Sequence, residues 1–223
     1  MLSPHVIVRY PAIRHKRRID AGRSASPPLL EMARKARTFE ESHRRTDCYG
    51  GSLANRMRYP LEVAAAHREV WPRRKALGML ITGTDWVDGR ITPDEAGIFA
   101  GELSDVGFDY VCVSSGGVSP AARPAIAPGY QVPLAAAVKK ASDIAVQAVG
   151  MIVDPHQAEA IVADGHADCV TLARRFLNDP RWAWHAAATL GVDAAYRPQY
   201  LRARPEHWPG AALTRHGLSR KGG

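Results

Sequence analysis

From about residue 45 onward, the apolar positions of this chain switch repeatedly between two spacings. Stripes with apolar residues three or four apart predict helices, and short unbroken apolar runs between them predict buried strands. Ser52 is placed to cap a helix running to about residue 71, with Leu53, Met57, Leu61, Ala64 and Ala65 as its apolar stripe and Pro60 expected to kink or restart it. Residues 76–82 then read as a buried strand. Thr92-Pro93-Asp94-Glu95 has the form of a capping box with proline at the first helical position, followed by Ile98, Phe99, Leu103 and Val106 and stopped by Gly107. Residues 109–114 are β-branched and aromatic, a second strand, ending in Ser115-Gly116-Gly117. Residues 131–142 are helical, 144–149 a strand, and Gly150 turns the chain. Asp154-Pro155 opens a helix that uses Ala158, Ile161 and Val162 and ends at Gly165. Residues 168–172 form a fourth strand, and 180–190 a last helix containing Trp182 and Trp184.

Helices alternating with nearly all-apolar strands predict a parallel sheet with both faces covered and right-handed crossovers. Periodicity alone leaves a barrel and a doubly wound sheet as alternatives. No G-x-G-x-x-G follows a strand, which counts against a dinucleotide-binding Rossmann fold.

The first 44 residues are different. Tyr10-Pro11-Ala12-Ile13-Arg14-His15-Lys16-Arg17-Arg18 and Ser24-Ala25-Ser26-Pro27-Pro28 hold neither period for long, and only residues 29–37 suggest a short helix. The expected organisation is therefore an irregular, disordered basic extension (1–44), one α/β unit (45–208) and a basic tail (209–223). With 223 residues the chain can bury one sizeable core, slightly short of the roughly 250 of a complete (β/α)8 barrel.

The net charge of +8 suggests a nucleic-acid partner only if the cations share a surface. They do not: residues 1–45 carry +7 and residues 215–223 carry +3, leaving −2 on the body. Phosphate-backbone binding needs several cations together, so no nucleic-acid partner is expected. Cys48, Cys112 and Cys169 form no C-x-x-C pair and no His/Cys ligand cluster, so neither a disulfide framework nor a metal site is expected, but packed, reduced thiols of a cytoplasmic protein. No apolar run approaches the ~20 residues of a membrane span, and none near the start resembles a secretory h-region.

In either α/β architecture, ligands sit beyond the carboxyl ends of the strands. Two places stand out there. Gly150, followed by Met151, lets backbone N–H groups approach an anion, and Arg174, after Ala173, adds a charge-assisted fork at the start of the next helix. The same residues are equally compatible with a tight turn and a solvated arginine. Taken alone, they also suit an unrelated phosphate-binding α/β enzyme.

The run Arg45-Thr46-Asp47-Cys48-Tyr49-Gly50-Gly51-Ser52-Leu53-Ala54-Asn55-Arg56 resembles a signature of the Old Yellow Enzyme family. Further matches follow in the family's order. They include Gly83-Thr84-Asp85-Trp86, Ser114-Ser115-Gly116-Gly117, Pro128-Gly129-Tyr130-Gln131, Ala148-Val149-Gly150-Met151-Ile152, Gly165-His166-Ala167-Asp168, Asp179-Pro180-Arg181-Trp182 and Pro198-Gln199-Tyr200. Residues 45–208 resemble the C-terminal half of such a protein, in the branch of xenobiotic reductases and small ene-reductases. The resemblance implies roughly the second four βα units of a TIM (β/α)8 barrel. It also implies non-covalent FMN, and hydride transfer from NAD(P)H to flavin and then to an activated alkene or to oxygen.

Position by position, the resemblance implies that Gly150 and Met151 offer backbone to the FMN phosphate, with Ala173 and Arg174 completing the cradle. Ala173 stands where many relatives have glycine. Arg202 matches an arginine that reaches from one subunit into its neighbour's active site. Two family features are missing. Leu80 occupies the strand position of an arginine that stabilises negative charge on the reduced ring. Residues 35–44, where a His-x-x-His-Gly-Tyr run is expected, have only the isolated His43, so no catalytic residue is identified. Because the opening motif lies near the middle of the family's barrel, the expectation is a chain shortened by truncation, rearrangement or frame shift. Its activity alone is then doubtful, and the alternative is a non-catalytic half-barrel with residual phosphate binding. Four βα units leave two open sheet edges, which predicts self-association.

Overall fold

The computed structural model describes residues 45–116 and 119–214. The predicted extension 1–44 with its short helix, His43, Gly117 and the tail from 215 lie outside the described residues.

The first helix, α1 (Leu53–Val70), begins where Ser52 Oγ accepts the Asn55 N–H at 3.3 Å. Of the kink or restart expected at Pro60, the restart does not occur: the helix is continuous through it. Proline removes one intrahelical bond, but α1 is pinned on both sides of that gap by buried arginines. Arg56 pairs with Glu95 and reaches the Gly51 carbonyl, while Arg68 donates to the carbonyls of Gly107 (3.2 Å) and Trp71 (2.5 Å). Burial follows Met57, Ala64 and Arg68, and Ala65, expected in the stripe, lies off that face and is exposed.

Strand β1 (Gly78–Thr82) leads to α2 (Pro93–Val106). Both halves of the capping box form: Thr92 Oγ1 accepts the Glu95 N–H, and the Glu95 carboxylate accepts the Thr92 N–H. Gly107, at φ 100°, closes the helix in the left-handed region. Ala96, Phe99, Ala100 and Leu103 form the buried face, whereas Ile98 is 51% exposed, one position off that stripe.

Strand β2 (Tyr110–Ser114), α3 (Val132–Ala141), β3 (Ala145–Ala148), α4 (Pro155–Ala163) and β4 (Cys169–Val170) continue the alternation. A five-residue helix, α5 (Arg174–Asn178), starts at Arg174 as expected and precedes α6 (Trp182–Thr189), the last helix read at 180–190. Three 3₁₀ turns follow, Pro198–Ala203, Pro205–His207 and Pro209–Thr214. The first is tied to α6 through Tyr200, which Trp184 meets edge-on and over which Arg181 lies, and Trp184 also stacks on Tyr196 just before it.

The sheet is parallel in the order β1-β2-β3-β4. Sequential order without reversal separates the two architectures left open by periodicity: doubly wound sheets reverse direction at a switch point, and barrels do not. Neighbouring helices pack on one another, α1 on α2 and α2 on α3, with Gly97 so near Ala141 that a β-carbon there would meet Ala141 Cβ at 2.5 Å.

Only one sheet face carries this cover. Ile81, Val111, Val113, Val146 and Ala148 are buried beneath the helices together with Leu103 and Val138, each large side chain contributing about 1.5–3 kcal/mol. The opposite face presents Leu80, Cys112, Gln147 and Cys169 in one register row, and Leu80 is 67% exposed. The expectation of a sheet covered on both sides is met only in part: on this face Cys112 is buried and Cys169 half-buried, while Leu80 stands exposed.

At the amino-terminal ends, Asp109 and Asp168 each stitch their strand to the one before. Asp109 accepts the Leu77 N–H at 2.7 Å, and Asp168 accepts the Val146 N–H at 2.8 Å while pairing with Lys139. No helix among the described residues is long and apolar enough to cross a membrane.

Candidate functional site

Beyond β3, the chain enters two consecutive residues with positive φ, Gly150 at 108° and Met151 at 53°. The left-handed region costs an ordinary side chain roughly 1–2 kcal/mol. Met151 is 47% exposed, so packing of its side chain does not explain the strain. What the conformation does accomplish is to leave backbone donors open: among the described residues neither the Gly150 nor the Met151 N–H has an acceptor. The Gly150 carbonyl, by contrast, is fixed by the Gly129 N–H at 2.8 Å. Such strain characterises ligand clamps.

Arg174 leaves the neighbouring strand. β3 and β4 pair through Ala148↔Val170, and the Thr171 N–H donates to the Ala148 carbonyl at 2.8 Å, so the turns at 150–151 and 173–174 emerge side by side on the carboxyl rim. Arg174 is exposed and, among the described residues, has no acidic partner. The field expected from its helix is small, because α5 spans only five residues; charge rather than dipole is what Arg174 contributes. Ala173 is also exposed and precedes it as the helix cap.

Two further residues lie at this rim. Ser115, just past β2, accepts hydrogen bonds from Trp86 Nε1 at 2.8 Å and from Gln131 Nε2 at 2.6 Å. Gln131 is 5% exposed, and its side chain packs against the α-carbon of Gly150. Ser115 was findable as the first polar residue past a strand's carboxyl end. Gln131 gave no such signal, standing at the head of a helix.

Leu80 lies exposed, in register with Cys112, Gln147 and Cys169, and this row carries no charge. Gln147 Oε1 accepts from Thr171 Oγ1 at 2.9 Å. Burial pushes the Cys112 and Cys169 thiols up, Asp168 adding to the effect on Cys169. Cys48 is exposed, contrary to the expectation of three packed thiols. Arg202 is exposed within the turn Pro198–Ala203, away from the 150–174 rim in sequence and without a partner among the described residues. No cluster of metal-ligating side chains occurs among the described residues.

Residues 39–192 match the NADH:flavin oxidoreductase / NADH oxidase family. The chain belongs to that family. Similar proteins include the NADPH dehydrogenase of Geobacillus sp. (strain WCH70), 40% identical over 161 residues that are 72% of this chain and 46% of the relative. The NADPH dehydrogenase of Halalkalibacterium halodurans is 38% identical, over 73% of this chain and 47% of its own. Among solved structures, 2-naphthoyl-CoA reductase is 28% identical with a TM-score of 0.59, over 67% of this chain and 23% of its own. Morphinone reductase in complex with tetrahydroNAD is 25% identical with a TM-score of 0.52, over 74% of this chain and 42% of its own. The chain thus spans about half the length of the curated relatives it matches. Its four βα units are a part of the TIM barrel of these oxidoreductases, in keeping with the unreversed strand order.

Proposed function

We propose that this member of the NADH:flavin oxidoreductase family carries the phosphate-holding side of an FMN site, in an oxidoreductase that uses NAD(P)H and acts on an activated alkene. The observation that carries this is the pair of N–H groups of Gly150 and Met151, without acceptors among the described residues, on the same carboxyl rim as the exposed Arg174. A dianionic phosphate needs several donors and a cation within one small volume, and these residues fit it. Gly150 and Met151 would hold its oxygens through backbone, Ala173 would permit close approach, and Arg174 would neutralise charge. Bound FMN would supply hydride transfer between a reduced nicotinamide and the alkene. The relatives named NADPH dehydrogenase favour NADPH as the donor.

A second reading is supported by Leu80. A neutral, 67% exposed side chain on that strand cannot stabilise negative charge on a reduced ring, which favours a half-barrel that binds phosphate or FMN without turnover. Either way the exposed Leu80 and, among the described residues, the strand edges of β1 and β4 need cover, and self-association would provide it.

Titration of the purified chain with FMN, followed by quenching of flavin fluorescence, tests the site. Saturable quenching that is competed by inorganic phosphate is expected. Fluorescence that stays at the free-flavin level through micromolar protein would refute it. Oxidation of NADPH by the FMN-loaded chain then separates the two readings.

A further inference from the structure

Gln131 joins two turns that the sheet alone would leave independent. Its buried amide donates to Ser115 Oγ past β2, and its side chain fills the space under Gly150 past β3, where a β-carbon would stand 2.9 Å from Gln131 Oε1 and 3.0 Å from Gln131 Cβ. Trp86 Nε1 donates to the same hydroxyl from the turn after β1. A serine hydroxyl has two lone pairs and one proton. With an indole N–H and an amide N–H directed at Ser115 Oγ, both lone pairs are taken, so its proton must go to a third group. Among the described residues there is no acceptor for it.

We propose that Gln131 is a positioning residue of the phosphate site: it turns the Ser115 hydroxyl into an obligate donor and holds Gly150 so that the Gly150 and Met151 N–H groups stay open toward the same anion. This rests on the assignment of the 150–174 rim to an FMN phosphate. Gln131 itself does not touch the ligand. It acts through Ser115 and Gly150, and the element that presents it is the first turn of α3, fixed by the Gly129 N–H bond to Gly150.

FMN and riboflavin, which differ only by the phosphate, provide the test. Their dissociation constants are measured by fluorescence titration for the full chain, for Gln131→Leu, Gln131→Glu and Ser115→Ala, and for Gln131→Leu combined with Ser115→Ala, with folding checked by circular dichroism. In the unmodified chain FMN binds more tightly than riboflavin. Gln131→Leu and Ser115→Ala each weaken FMN by about tenfold, the worth of one hydrogen bond to a charged group, and leave riboflavin unchanged. Gln131→Glu, whose carboxylate only accepts, draws the Ser115 proton inward and weakens FMN further. In the Ser115→Ala background Gln131→Leu costs little more, because both act largely through one hydroxyl. Loss of FMN and riboflavin together, or full additivity of the two substitutions, overturns the positioning role while leaving the phosphate assignment standing. Equal FMN and riboflavin affinities in the unmodified chain overturn both. Should Gln131→Leu fail to fold, Ser115→Ala decides: an unchanged FMN to riboflavin ratio overturns the inference.

Discussion

Gly150 turns its α-carbon toward the Gln131 side chain so closely that an added β-carbon would lie 2.9 Å from Gln131 Oε1, and it does so at φ 108°, where side chains are strained whatever the space. Both penalties act together in Gly150→Ala. The variant should lose about 1–3 kcal/mol of stability, read from urea unfolding, and its FMN binding should fall with it. A Gly150→Ala chain as stable as the original would mean that the turn relaxes freely and fixes nothing.

Arg174 offers the opposite test, because it is exposed and unpaired among the described residues. Arg174→Ala should leave unfolding within about 0.5 kcal/mol of the original. Its FMN affinity should drop several-fold at low ionic strength, and the difference should shrink in 1 M salt, where exposed charges are screened over about 3 Å. An affinity difference independent of salt would show that charge is not what Arg174 supplies.

The three cysteines should react in two classes. Cys48 is exposed, whereas burial pushes the Cys112 and Cys169 thiols up and so lowers their thiolate fraction. A thiol reagent at pH 8 should modify Cys48 in a fast phase and the other two slowly, with Cys48→Ser abolishing the fast phase alone. Three equal rates would mean that the row Leu80, Cys112, Gln147 and Cys169 is more open than the fold shows.

Asp179 links α5 to α6: it accepts from Arg175, from the Arg181 N–H and from His185. Burial raises its carboxyl, but the His185 hydrogen bond and charge, the Arg181 N–H and Arg175 outweigh this and hold it below its ordinary value of 3.8. A carboxyl depressed on folding stabilises fully above its unfolded pKa and loses that contribution as pH falls through the folded one. Thermal stability should therefore fall on acidification below about pH 4 by less in Asp179→Asn than in the parent, while at pH 7 Asp179→Asn is the less stable. Parallel pH curves for both proteins would contradict this.

The edges of β1 and β4 and the face bearing Leu80 predict association. Sedimentation of the purified chain at micromolar concentration should show dimers or larger species. A clean monomer would count against open edges.

What the sequence revealed depended on how local the cause was. The Thr92–Glu95 capping box and the Gly107 stop are set by neighbours in the chain, and both formed as read. Strand order was implied by the alternation but not its closure, since apolar strands look alike whether one face or two are covered; Leu80 shows the difference by standing 67% exposed. Pro60 does not restart α1, and the contacts that hold the helix on either side of it come from Glu95 and Gly107, far along the chain. The turns at Gly150 and Arg174 were legible as glycine and arginine after neighbouring strands. Gln131 was not, because its importance lies in a contact with Ser115 sixteen positions away that no pattern encodes.

The most direct test of the account is where FMN binds. An amide ¹H–¹⁵N correlation spectrum recorded during FMN titration should shift the Gly150 and Met151 resonances first, with Ser115 and Arg174 following, and leave Asp109 and Asp168 on the opposite rim unchanged. Shifts centred on that amino-terminal rim, or none at Gly150 and Met151 while FMN binds, would contradict it.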